Sequence, residues 1–293
     1  MQDQADGLRR MTGKNSTTKP SRKTKTIVVT SGKGGVGKSN FSLNFSLALR
    51  QMGFQVGILD ADLGLANLDV LMGVTAPYNI THLISGQKTL KEIILKCPGG
   101  VFLIPGGSGI VSALIDERKL RVLLESLPVL DEYFDYLIID TGAGINKQVL
   151  SFALAAEEVV VVTTPDPTSL ADAFNIIKVI HRGSADLPIG VVVNQADSTR
   201  HGEEVFSKLH KVSRNFLEKD LYLIGIIPFD TTVSKAVRAQ VPLLLYEKNA
   251  KSSLAIKRAA SDYLMQGNLK ASIPGKEAGG LKSLLGKMAR MLR

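Results

Sequence analysis

Gly32, Gly37, Lys38 and Ser39 stand at the spacing G-x-x-x-x-G-K-S within SGKGGVGKS (31–39), and those residue types at that spacing handle phosphate. Glycines let the backbone turn its N–H groups toward phosphate oxygens, a lysine neutralises β/γ charge, and a hydroxyl directly after it can ligate Mg²⁺. The chemistry needs a strand that ends at the loop and a helix that begins there, because the helix N-terminus adds a favourable field. Both are present as patterns. TIVVTS (26–31) is an apolar, β-branched run, and NFSLNFSLALRQMG after the loop reads as helix. Gly34, Gly35, Val36, Gly37, Lys38, Ser39 and Asn40 are therefore the candidate phosphate cradle.

The elements that must hold this cradle repeat along the chain. After the first strand come QVGILDAD (55–62), VFLIPGG (101–107), YLIIDTG (136–142), EVVVVTTP (158–165), IGVVVNQA (189–196) and LYLIGIIPF (221–229), separated by helix-like stretches. Runs apolar on both alternations suit strands covered by helices on both faces. The expected fold is therefore a doubly wound, mostly parallel α/β sheet with the ligand at the carboxyl ends of the strands. Polar, basic TGKNSTTKPSRKTK and Gly/Pro-containing QGNLKASIPGKEAGG bracket it, giving an arm over 1–25, one domain over 26–265 and a linker with a tail over 266–293, both flanks free of the body.

Composition narrows the class further. Cys97 is the single cysteine, so one chain can build neither a disulfide framework nor a Cys-rich metal centre. The beginning MQDQADGLRR has no apolar run of a signal peptide, and no segment reaches the roughly 20 apolar residues that span a bilayer, so a cytoplasmic, non-integral protein is expected. The net charge of +9 is confined to the ends: residues 1–26 and 266–293 carry +5 each, which leaves −1 for the body. A nucleic-acid partner is not expected of a neutral body.

Lys33 inside the loop gives K-G-G-x-G-K-S, and carboxylates close two of the strands: Asp60 and Asp62 in ILDADLGLANLD, and Asp140 in YLIIDTG. With these residues the chain resembles the deviant Walker A ATPases of the MinD/ParA family, and the loop TGAG (141–144) is similar to that of FlhG-type flagellar regulators. The resemblance implies slow hydrolysis of ATP to ADP with Mg²⁺ in a homodimer. In that dimer Lys33 reaches the partner's nucleotide beside the catalytic Lys38, and Asp62 orients the attacking water. Ser39, Asp60 and Asp140 serve the metal. It further implies that Asn194, Pro228 and Phe229 line the adenine. Asp166 and Asp172 in TTPDPTSLADAF could pair with Lys33 in one nucleotide state.

The ends carry their own signals. Leu281, Leu284, Leu285, Met288 and Leu292 recur at i, i+3, i+4, i+7 and i+11, with lysines and arginines mostly elsewhere around the helix. Such a basic amphipathic helix, roughly 20 Å long, would lie in an anionic headgroup layer, at the inner face of the cell membrane, and two tails on a dimer would bind far better than one. At the other end DQADGLR places Asp3, Gln4, Ala5, Leu8 and Arg9 in the D-Q-A-x-x-L-R element of FlhG proteins. That resemblance implies the SRP-type GTPase FlhF and flagellar C-ring proteins as partners. The competing readings are a ParA-like partition ATPase, with Lys208, Lys211, Arg214 and Arg238 as its basic residues, and a MinD-like division-site regulator. An electron-transfer reductase needs cluster cysteines that one Cys97 cannot supply.

Overall fold

The structure, a computed structural model, describes residues 23–62, 66–107, 122–123, 125–271 and 280–291. Its first half runs β1 (Lys25–Ser31), α1 (Lys38–Gln51), β2 (Val56–Ala61), α2 (Leu68–Met72), α3 (Ile80–Ile84), α4 (Leu90–Ile93), β3 (Leu95–Lys96), β4 (Phe102–Ile104) and β5 (Tyr136–Ala143). Its second half runs α5 (Lys147–Ala155), β6 (Glu158–Thr163), α6 (Pro167–Gly183), β7 (Ile189–Ala196), α7 (Thr199–Leu217), β8 (Tyr222–Pro228), α8 (Thr231–Arg238), α9 (Leu243–Tyr246), α10 (Lys251–Ala271) and α11 (Gly280–Met291). Short 3-10 turns lie at Pro98–Gly100 and Leu127–Glu132.

All eight strands form one sheet in the order β3-β4-β2-β5-β1-β6-β7-β8. Every pair is parallel except β3 with β4. β3 is the strand that the apolar runs do not mark, since Leu95 and Lys96 make too short a segment to carry a pattern. From β1 the chain winds outward through α1 to β2, and from β5 it crosses through α5 to β6 on the other side of β1. That reversal at β1 opens a crevice at the carboxyl ends of β1, β2 and β5.

The apolar strands feed two cores. Ile27 and Val29 of β1 pack with α1 and α10 on one face, while Val28 packs with α5, α6 and α7 on the other. Both alternations are buried, so these strands show no period of two.

The amino-terminal ends of the strands receive both ends of the described chain. Thr24 is buried, its Oγ1 donating to the carbonyl of Phe134 at 2.8 Å and its N–H to Oδ1 of Asp131 at 3.2 Å. The tail departs from expectation. α10 continues past residue 265 to Ala271, and α11 is seated on α5, β1 and the turn Leu127–Glu132 rather than standing free. Leu281 and Leu284 are fully covered in the core on that face and Leu285 packs against it. The physical reason is the apolar stripe itself, since each leucine so covered contributes about 1.5–3 kcal/mol. Two carboxylates fix the helix start: the N–H of Leu281 donates to the same Oδ1 of Asp131 at 3.0 Å and that of Gly280 to Glu157 at 3.1 Å. The side chain of Met288, together with Leu292 and the arm residues Asp3, Gln4, Ala5, Leu8 and Arg9, lies outside the described residues.

Candidate functional site

β1 delivers the loop into the crevice and α1 leaves it. Gly37, at φ 87°, is the N-cap of α1 and offers no side-chain cap, so the first N–H groups of the helix face the cleft without a side chain to satisfy them. A Cβ at Gly37 would strike the Asn194 amide, which makes glycine obligatory there on two counts. The cleft in front of the helix measures about 700 Å³ and is lined by Gly34, Gly35, Lys38, Ser39, Asn40 and Asp62, among others.

Beneath it lies a buried charge layer. Lys38 is 8% exposed, and its Nζ sits 3.1 Å from each Asp140 oxygen and 3.1 Å from Ser39 Oγ. Ser42 Oγ donates to Asp140 Oδ1 at 2.6 Å. Asp60 is the register partner of Asp140 across β2 and β5, and its carboxylate accepts the N–H groups of Asp62 at 3.3 Å and of Asn67 and Leu68 at 3.1 Å. The three expected metal residues are thus separated: Ser39 lines the cleft, while Asp60 and Asp140 stand behind it with their oxygens already engaged. Asp62 does line it, close to Gly142 near the end of β5.

Burial, then the neighbouring Asp140 charge, raise the Asp60 carboxyl from 3.8 to about 7 against the lowering effect of its three N–H donors. A group raised on folding holds a proton that the unfolded chain releases, so its contribution falls as pH climbs from about 4 to about 7. In metal-free melts Asp60→Asn should therefore gain on the parent as pH rises from 5 to 8. A difference independent of pH would assign the buried proton elsewhere.

Lys33 points away from its own cleft. Its Nζ is 3.2 Å from Asp166 Oδ2 and 2.9 Å from Thr168 Oγ1 at the start of α6, and this hydrogen bond holds the Asp166 carboxyl below its ordinary value. Asp172 has a different place: its backbone fills the space that a side chain at Gly32 would need. Both Lys33 and Asp166 are about half exposed, so water screens the pair and it separates easily.

A second, smaller pocket continues from the cleft past Gly37 and Asn40 and is walled by Pro228 and Phe229. Asn194 lines it too, but its Nδ2 donates to the Val36 carbonyl at 2.8 Å, bracing the phosphate loop. Gln195, Asp230, Ser234 and Ser252 in this pocket, and Asn67, Asn146 and Gln148 in the cleft, were not among the residues picked out from sequence. They come from separate elements that only the topology brings together. Among the described residues no cluster of three or more His, Cys, Asp or Glu could hold a metal unaided.

Comparison with known proteins follows the same lines. Residues 22–264 match the ParA family model, described as NUBPL iron-transfer P-loop NTPase. The chain is similar to the antiactivator FleN of Pseudomonas aeruginosa, at 41% identity over 80% of this chain and 84% of that one. It is similar to the flagellum site-determining protein YlxH of Helicobacter pylori, at 36% over 92% and 91%. Its fold is similar to that of the septum site-determining protein MinD from Pyrococcus horikoshii, solved with Mg-ADP, with a TM-score of 0.69 and 26% identity over 85% of this chain and all of that one.

Proposed function

This chain belongs to the ParA family of P-loop NTPases, and on that premise we propose an ATP hydrolase that dimerises on ATP, associates with membrane and regulates flagellar placement or number. The observation that carries the reading is a phosphate cleft whose second lysine is held outside it. A cation at Lys33, tied by an exposed and separable contact, is free to serve a nucleotide presented by a second copy. There it supplies charge stabilisation at the leaving phosphate.

The cleft fits a magnesium nucleotide. The uncapped start of α1 and the open positions of Gly34 and Gly35 admit phosphate oxygens, and Ser39 Oγ offers one hard ligand. Magnesium, when bound, would neutralise β/γ charge, and of the three expected metal residues only Ser39 lines the cleft to hold it. Asp140 holds Lys38 in place, Asp60 pins the loop that carries Asp62, and Asp62 lines the cleft where it would accept a proton from water.

Membrane association rests on the tail. In the docked state Leu281 and Leu284 are covered, so the tail must be released before it meets lipid. Dimerisation then doubles the number of tails offered at once. No helix of the described residues is long and apolar enough to cross a membrane. The resemblance of DQADGLR to the FlhG element supports FlhF, and with it flagellar C-ring proteins, as partners. On the body, a groove between α6 and α7 offers an apolar and basic surface, with Phe216 76% exposed among Lys178, His181 and Arg182.

The test is co-sedimentation of the full chain and of a chain ending at Gly280 with anionic liposomes, each with ADP and with a non-hydrolysable ATP analogue. Sedimentation of the full chain alone, mainly with the ATP analogue, is expected. Equal sedimentation of both chains, or ATP-dependent pelleting with DNA instead, would replace the membrane switch by a partition-type ATPase.

A further inference from the structure

Besides the phosphate loop, the large cleft is lined by the ends of β2 and β5, by Asn67 and by the first turn of α5. The polar side chains of that part are Asp62, Asn67, Asn146 and Gln148. Their duties differ. Asn146 is the N-cap of α5, its carboxamide oxygen accepting the N–H of Val149 at 2.8 Å, and Asn67 is tied through its own N–H to Asp60. Gln148 stands apart: its Nε2 is buried and has no hydrogen-bond partner among the described residues.

Nothing in α5 asks for an amide at that position. The cap is supplied by Asn146, and the buried face of the helix is made by Val149, Ser151, Phe152, Ala153 and Ala155. A buried donor without an acceptor is costly, so one kept at the wall of a cleft calls for an acceptor that the cleft brings in. The neighbours say which acceptor. The N–H groups at the start of α1 and Lys38 meet phosphates at the loop, whereas Asp62 stands where water would attack the phosphoryl group that is transferred. A carboxylate repels that group, so a phosphate oxygen on this side needs a donor, and an amide gives one without neutralising Asp62.

Resting on the nucleotide reading of this cleft, we infer that Gln148 is a specificity-determining residue for the triphosphate, its Nε2 donating to an oxygen of the terminal phosphoryl group. With ATP the buried amide is satisfied. With ADP that oxygen is missing, so the side chain favours one nucleotide state over the other.

Two variants separate this contact from the shape of the cleft. Gln148→Met keeps the length and loses the amide, and Gln148→Glu keeps the outline and puts an anion where the donor was. Dissociation constants for ADP and for a non-hydrolysable ATP analogue, both with Mg²⁺, are to be measured by calorimetry on the full chain, at concentrations where light scattering shows a monomer. A hydrogen bond to a charged group is worth about tenfold or more, so the preference for the ATP analogue over ADP should fall by at least about tenfold in both variants. Gln148→Met should bind ADP as the parent does and, without nucleotide, melt no lower, since it removes a buried donor that has nothing to bond. A parental preference kept in either variant overturns the assignment, because water then serves the amide. Equal weakening of both nucleotides by Gln148→Met overturns it too, because the side chain then only shapes the cleft. A parent that binds neither nucleotide overturns the nucleotide reading itself, a failure visible before any variant is made.

Discussion

Asp62→Ala should abolish turnover while leaving nucleotide binding and dimerisation in place. Asp62 lines the cleft, whereas the groups proposed to hold phosphate are the loop N–H groups, Lys38 and Ser39, so its loss is expected to remove water orientation and to spare phosphate binding. Positioned proton acceptors contribute on the order of 10²–10⁴-fold, and single-turnover hydrolysis should fall by at least about 100-fold. A fluorescent ATP analogue bound with unchanged affinity completes the expected result. Loss of binding instead would show that Asp62 shapes the cleft rather than working in it.

Lys33→Ala should act at a different stage, removing the ATP-dependent dimer. Lys33 contacts Asp166 and Thr168 in its own chain and lines no part of its own cleft, so monomer folding and monomer nucleotide affinity should hardly change. Cations delivered across an interface to a transferring phosphoryl group are worth about 10³–10⁵-fold in rate, and turnover should fall accordingly. Light scattering with the ATP analogue reads the dimer directly. A dimer of parental affinity would refute action across the interface. Asp166→Ala offers the converse: it frees the lysine and should favour dimerisation, though modestly, because the contact it breaks is exposed.

The frame of the site was legible because it is local. A loop of nine residues between a strand and a helix announces itself, and β-branched runs announce the strands, seven of which lie where those runs fall. Facts that depend on the third dimension were not legible. No spacing tells that Asp140 would be occupied by Lys38 and Ser42, or that Asp60 would turn its oxygens to the N–H groups of Asn67 and Leu68. The amide of Asn194 was read for its chemistry toward a base; it lines the pocket, but its partner in this structure, Val36, is far away in the chain and no spacing announces it. The tail shows the same limit. Its apolar stripe identified a surface-seeking helix, yet a stripe cannot say which surface, and a groove of this same chain competes with lipid for it.

The carboxylate of Asp131 takes the backbone of Thr24 and of Leu281 on a single oxygen. Those two residues are the roots of the arm and of the tail, so the molecule has one handle, at the foot of β1, and the phosphate loop is at its other end, about 20 Å along the strand. A partner that gripped the arm would pull on Thr24, within one hydrogen bond of the Asp131 oxygen that also holds Leu281. Under the proposed function, a protein held through both arm and tail at one pole would hang with its opposite pole outward, so its attachment would also fix the direction in which it faces.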